Sequence, residues 1–252
     1  MRRLLIALSV FALISVSASA QRNSSLRGND PHPAATHPPV VPGACSPCLW
    51  YAGDFDPANL SASADLNFDN TYYAEENQIW VPFIAAPDGN PLHKHVLISA
   101  VTFNELVNTL NTNPPADFDG MSFGFRTGVL SGNGGILGKH GTCPATVVLY
   151  TGVTFHGYNE YSFTCQLVGT KAVKVTVGTI YWVNVTPTFT STTLAYLDNA
   201  IDLPEINQLG WGDDFYNSFI NGAFFSLNYA PATSVGTEFE QFSVAIAGTY
   251  ED

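Results

Sequence analysis

Val173, Val175 and Val177 stand at every second position of residues 171–177, with Lys174 and Thr176 between them. A spacing of two places the valines on one face of an extended strand, where a half-buried sheet needs them. Residues 179–187 repeat the pattern, with Tyr181, Val183 and Val185 alternating with Trp182, Asn184 and Thr186. Further strand candidates are residues 78–86, 96–103, 121–130, 147–155 and 158–167. The stretches 87–91 and 131–135, rich in Pro, Gly, Asn and Asp, read as turns between them. Residues 104–110 are the one stretch read as a short helix. Residues 198–221 read as a long connection, and residues 223–229 with 241–248 as a closing hairpin. Short strands and frequent turns predict an all-β chain, a single β-sandwich of jelly-roll type over residues 45–252.

What precedes that domain reads as export machinery. Arg2 and Arg3, an apolar run over residues 4–16 and Ala18-Ser19-Ala20 make residues 1–20 a signal peptide. Residues 21–44 hold five prolines and few large apolar side chains, and read as a disordered Pro-rich spacer. Removing the two leader arginines leaves seven basic residues against 21 acidic ones. Such a surface repels phosphate backbones, so no nucleic-acid partner is expected. The leader run is too short for a membrane span, and none is expected in the mature chain. Secretion, to the extracellular space or the periplasm, follows from the leader.

Four cysteines in an exported chain favour disulfides over thiol chemistry. Cys143 and Cys165 flank adjacent strand candidates and make the natural bridge, leaving Cys45 with Cys48; crossed pairings stay open.

Several segments together carry a resemblance. They are Trp50-Tyr51-Ala52-Gly53-Asp54-Phe55, residues 126–135 (an R-x-G-x-x-x-G-N-G-G turn), Glu160-Tyr161, and residues 178–187 (G-T-I-Y-W-x-N-V-T-P). This pattern resembles a group of bacterial exported proteins of undefined role, several with sorting-type anchors. The resemblance spans about residues 48–248 and implies a jelly-roll sandwich. It brings no catalytic residues. The chain ends on Thr249-Tyr250-Glu251-Asp252, without the Pro-Glu-Pro motif, apolar helix and basic tail of anchored members. Release is therefore the expectation.

Calcium is the candidate ion. Asp54 and Asp56 share one side of an extended segment. Glu238 and Glu240 share the alternation face of Phe242, Val244 and Ile246, where carboxylates are costly unless turned outward or bound to a cation. The bland reading of all four is solvated acids at loop ends. His93 and His95 lie on one strand face, but two imidazoles do not make a zinc or copper site. Trp182, Trp211 and Tyr216 are candidates for stacking on sugars, while Trp50 and Trp80 read as core. No H-E-x-x-H and no spaced set of glycosidase carboxylates stands out. The expected function is therefore a non-catalytic exported sandwich that interacts with envelope or matrix proteins. The alternatives are a calcium-assisted carbohydrate-binding module that holds extracellular glycans and, third, a carbohydrate-active hydrolase.

Overall fold

A computed structural model describes residues 25–27, 45–53, 55, 63–72, 75–108, 112–198, 215–218, 229–231 and 242–252. Its strands are, in chain order, β1 (Ser25–Arg27), β2 (Cys48–Tyr51), β3 (Ser63–Leu66), β4 (Phe68–Asn70), β5 (Glu75–Ile84) and β6 (His95–Val107). Next come β7 (Phe118–Thr127), β8 (Ile136–Thr142), β9 (Ala145–Phe155), β10 (Tyr158–Gln166) and β11 (Val173–Thr176). The last are β12 (Ile180–Phe189), β13 (Ala195–Asp198), β14 (Phe215–Ser218), β15 (Ala230–Pro231) and β16 (Val244–Glu251). They form two sheets packed as a β-sandwich, as the alternation predicts. One runs β1-β3-β13-β6-β10-β9, with β11, β16 and β2 attached through β6 and β16. The other runs β15-β14-β5-β4-β12-β7-β8. β1 is an edge strand on β3 and falls within the stretch read as spacer.

β6 is the strand on which the first sheet is assembled. β10 and β11 occupy one of its edges, β16 and β13 the other. Its residues Val101, Phe103 and Val107 are fully buried in the main core with Phe163, Phe189 and Val185. Removing each such side chain from water stabilises the fold by about 1.5–3 kcal/mol. Residues 104–107, read as helical, belong to this strand. Glu105 continues the alternation of Val101 and Phe103, and β10 and β13 pair with it from both sides. Two complete ladders outweigh a weak local helix preference. Of the expected closing hairpin, residues 223–228 and 241 lie outside the described residues. β16 pairs with β2 and β6 in one sheet, while β15 pairs with β14 in the other.

The second sheet forks. β5 and β12 pair only over residues 81–84 and 180–183. Beyond Val183, β4 lies beside β12 and pairs with it in parallel at Thr188 and Phe189. At the fork the Ile79 peptide groups are taken by side chains. The Ile79 N–H donates to Asn67 Oδ1 at 3.0 Å, and Asn184 Nδ2 donates to the Ile79 carbonyl at 2.9 Å. Asn67 lies in the link between β3 and β4, where the chain crosses from one sheet to the other. Its Oδ1 also accepts from Asn184 Nδ2 at 3.0 Å. Its Nδ2 donates to the Val185 carbonyl at 2.7 Å and to Glu105 Oε1 at 2.6 Å. Every donor and acceptor position of that amide is used, which is what a fully buried asparagine requires.

Both disulfides form in the expected pairs, Cys45–Cys48 and Cys143–Cys165, and no described cysteine is free. Cys143 lies at the corner where β8 of one sheet turns into β9 of the other. The Gly-rich turn closes through reciprocal hydrogen bonds between Leu130 and Asn133, both 2.8 Å. Gly135 ends it with φ of +63°, and a Cβ there would sit 2.1 Å from the Thr127 carbonyl oxygen. Only glycine fits.

Candidate functional site

The outer face of the forked sheet carries a second cluster, separate from the main core: Trp80, Val129 and Tyr229, with Trp182 packed against them. Trp182 lies directly across from Arg126 on β7, so both side chains leave the same face. It also pairs with Pro82, two residues from Trp80, which places Trp80 on that face too. The guanidinium carbon of Arg126 lies 4.6 Å from the Trp80 ring centroid and 5.0 Å from that of Tyr229. Arg126 is clamped between two aromatic faces.

Glycines make this clamp possible. A Cβ on Gly124 would meet Trp80 at 2.6 Å, and one on Gly134 would meet the Tyr229 ring at 2.3 Å. The Gly134 carbonyl accepts from Arg126 Nη1 at 3.0 Å, and the Gly132 N–H donates to the Tyr229 carbonyl at 3.0 Å. The motif of residues 126–135 is thus a turn folded back on its own first residue.

The polar atoms of the cluster are unevenly satisfied. Arg126 Nε, Trp80 Nε1 and Trp182 Nε1 are all buried and have no hydrogen-bond partner among the described residues. Among the described residues no carboxylate forms an ion pair with Arg126. The cluster combines buried aromatic rings, one half-buried positive charge and buried N–H donors without acceptors among the described residues. It is suited to hold an oxygen-rich group. Burial raises the Tyr229 phenol above its ordinary pKa; the Arg126 charge works against this, and Glu76 adds to it.

A second polar group lies around β6. Glu105 and Asp198 are completely buried, and Glu160 nearly so. Burial holds the Glu105 carboxyl well above the usual carboxylate range, against the pull of the Asn67 amide. Burial does the same to Asp198, reinforced by the neighbouring Glu160 and then Glu105, while the Leu106 N–H opposes it from 3.1 Å. Asp198 Oδ2 has no partner of good geometry although Glu160 lies beside it. Carboxyls this close coexist when protons, not charges, occupy the site. Opposite Glu160 the β9 strand bulges, and Thr151 donates its hydroxyl to the Glu160 carboxyl. Among the described residues no group of three or more His, Cys, Asp or Glu is arranged to hold a metal ion.

The candidates named from the sequence are placed as follows. Trp182 is half-buried within the Arg126 cluster. Tyr216 lies on β14 opposite Ile79. Trp211, Asp54, Asp56, Glu238 and Glu240 lie outside the described residues. Trp50 joins the main core, whereas Trp80, also buried, belongs to the outer cluster. His93 is engaged by Asp88, at 2.7 Å from Nδ1, and stacks on Tyr250. Arg126 and Tyr229 were missed as a pair because 103 positions separate them. The available signal was that Arg126 is the one arginine after residue 27, and that it opens the Gly-rich turn.

Compared with known proteins, the chain matches no family model, no curated protein and no solved structure. No helix of the described residues is long and apolar enough to cross a membrane. The two disulfides are compatible with an oxidising extracellular or periplasmic environment.

Proposed function

We propose that this chain is an exported, non-catalytic β-sandwich that works by binding proteins of the cell envelope or extracellular matrix. The observation that supports this reading is a pair of sheet edges, open among the described residues, whose strands are next to each other in the chain. β8 ends one sheet and β9 ends the other. Six of the seven β8 residues are exposed, and Ile136, Leu137 and Leu149 expose apolar side chains along the two strands. Long edge strands are normally blunted by charge, proline or a covering element, because they offer a template for strand addition. The expected result is saturable binding of the purified mature protein to washed envelope or matrix fragments. Replacing Ile136 and Leu149 together by lysine should weaken it about tenfold, the equivalent of ~1.4 kcal/mol. Binding that is absent, or indifferent to both lysines, would sink the reading.

A calcium-assisted carbohydrate-binding module is the second reading. It needs the first and last parts of the domain to meet, and β2 does pair with β16, Tyr51 opposite Ala245. The Ala52 N–H also donates to the Val244 carbonyl at 2.9 Å, and Ser243 Oγ to the Gly53 carbonyl at 2.7 Å. Calcium at 100 times its dissociation constant should stabilise the protein by about 2.7 kcal/mol. A melting temperature equal in calcium and in chelator would remove this reading.

A further inference from the structure

We propose that the Arg126 cluster is a binding site for a single uronic acid residue of a glycan, with Arg126 holding the sugar carboxylate and Trp182 flanking the ring. The inference depends on neither the open edges nor calcium.

The starting point is a charge without a counter-charge. The chain carries 21 acidic residues against nine basic ones. Among the described residues, nevertheless, none of those acids pairs with Arg126. That guanidinium is half-buried between Trp80 and Tyr229, so water compensates it incompletely. One of its five N–H groups is used by the Gly134 carbonyl, and the Nε–H has no acceptor. A planar carboxylate takes two parallel N–H bonds along one edge of a guanidinium, a match no neutral hydroxyl makes.

The surroundings narrow the class. Buried N–H donors left without acceptors destabilise the free protein, and here two indoles beside the arginine are in that state. Carboxylate and hydroxyl oxygens on one small ring supply acceptors to several such donors at once. Trp182 is half-buried and adjoins the arginine across the strand pair, where an indole can also stack on a sugar's C–H face. A peptide C terminus would satisfy the arginine and its carbonyls could accept from the indoles, but it lacks the C–H face of a sugar ring for Trp182. The chain's net charge of −12 further disfavours a long polyanion, which points to an isolated uronate, terminal or branching, on an otherwise neutral glycan. The two rings that hold the arginine pack directly on Gly124 and Gly134, where any larger residue would collide with them.

The test uses the full mature protein with its disulfides intact, in chelator, with binding read by titration calorimetry and tryptophan fluorescence. The probes are a neutral oligosaccharide carrying one terminal glucuronate, the same oligosaccharide with the acid reduced to the alcohol, and an N-acetylated peptide with a free C terminus. Saturable binding of the glucuronate probe is expected, weakened at least tenfold by reduction of the acid. Arg126→Gln should abolish it. Trp182→Phe keeps an aromatic ring but loses the N–H, and should weaken it several-fold without lowering the melting temperature. If Arg126→Gln proves unstable, Arg126→Lys keeps the charge without the planar fork, and should lose most of the preference for acid over alcohol. The proposal is overturned by equal affinity for acid and alcohol, by tighter binding of the peptide, by no binding of the glucuronate probe, or by wild-type affinity in a folded Arg126→Gln variant.

Discussion

Replacing Asn67 by alanine should lower stability by about 4 kcal/mol or more, an exceptional loss for one polar side chain. The substitution strips partners from the buried Ile79 N–H, the Val185 carbonyl, the Asn184 amide and Glu105 in one step. Each buried group left unsatisfied costs about 1–3 kcal/mol. For a domain of this size, 4 kcal/mol corresponds to a melting temperature lower by roughly 10 °C. Asn67→Asp is the informative companion. It keeps shape and the Oδ1 acceptor, but places an oxygen against the Val185 carbonyl and Glu105 Oε1. Urea denaturation of both variants near neutral pH should show the aspartate substitution recovering little of what alanine loses. A near-wild-type urea midpoint for Asn67→Ala would mean that the fork between β5 and β12 closes without its amide.

The second large effect concerns pH. In the unfolded chain Glu105 and Asp198 release their protons near pH 4. In the folded chain burial retains those protons to higher pH, with Glu160 adding to the effect at Asp198. Above pH 4 the folded state therefore binds more protons than the unfolded state, and stability falls as pH rises toward the folded-state pKa values. The contribution is fully present below the unfolded value. Each pH unit through which one such group stays protonated removes about 1.4 kcal/mol relative to that acid limit. Glu105→Gln leaves an acceptor for Asn67, and Asp198→Asn leaves one for the Leu106 N–H while offering a donor to Glu160. Urea midpoints from pH 4.5 to 9 should fall steeply in the wild type and flatten in the double variant, which becomes the more stable protein at the alkaline end. Parallel slopes would show that these carboxyls ionise in place.

How far the sequence revealed this structure depended on the distance over which each residue finds its partners. Val173, Val175 and Val177 declare a strand because their burial is one-sided and local. For the four cysteines, export chemistry and strand order favoured the pairing found, while crossed pairings stayed open. β8 was invisible for the opposite reason: Ile136, Leu137 and its two glycines face solvent on both sides, so no period of two is imposed on them. Glu105 looked like part of a polar helix because nothing nearby indicates that Asn67 waits for it across the sandwich. Asn184 read as the polar face of a strand, although its amide fills a fork whose other lining residues lie more than 100 positions away. Arg126 likewise meets Trp80 and Tyr229 only after the strands of the second sheet have come together. Periodicity reported the layers, and long-range polar contacts stayed hidden.

The Cys143–Cys165 bond acquires a mechanical meaning from its position. Tension applied along β8 enters the corner at Cys143, and the disulfide diverts that load into β10. β10 is tied in turn by eight register pairs to β6. Force arriving from this direction therefore meets a covalent bond before it can open the hydrogen bonds between β9 and β10 from that end. An edge that would otherwise peel is anchored to the middle of its sheet, as a handle on a loaded joint must be.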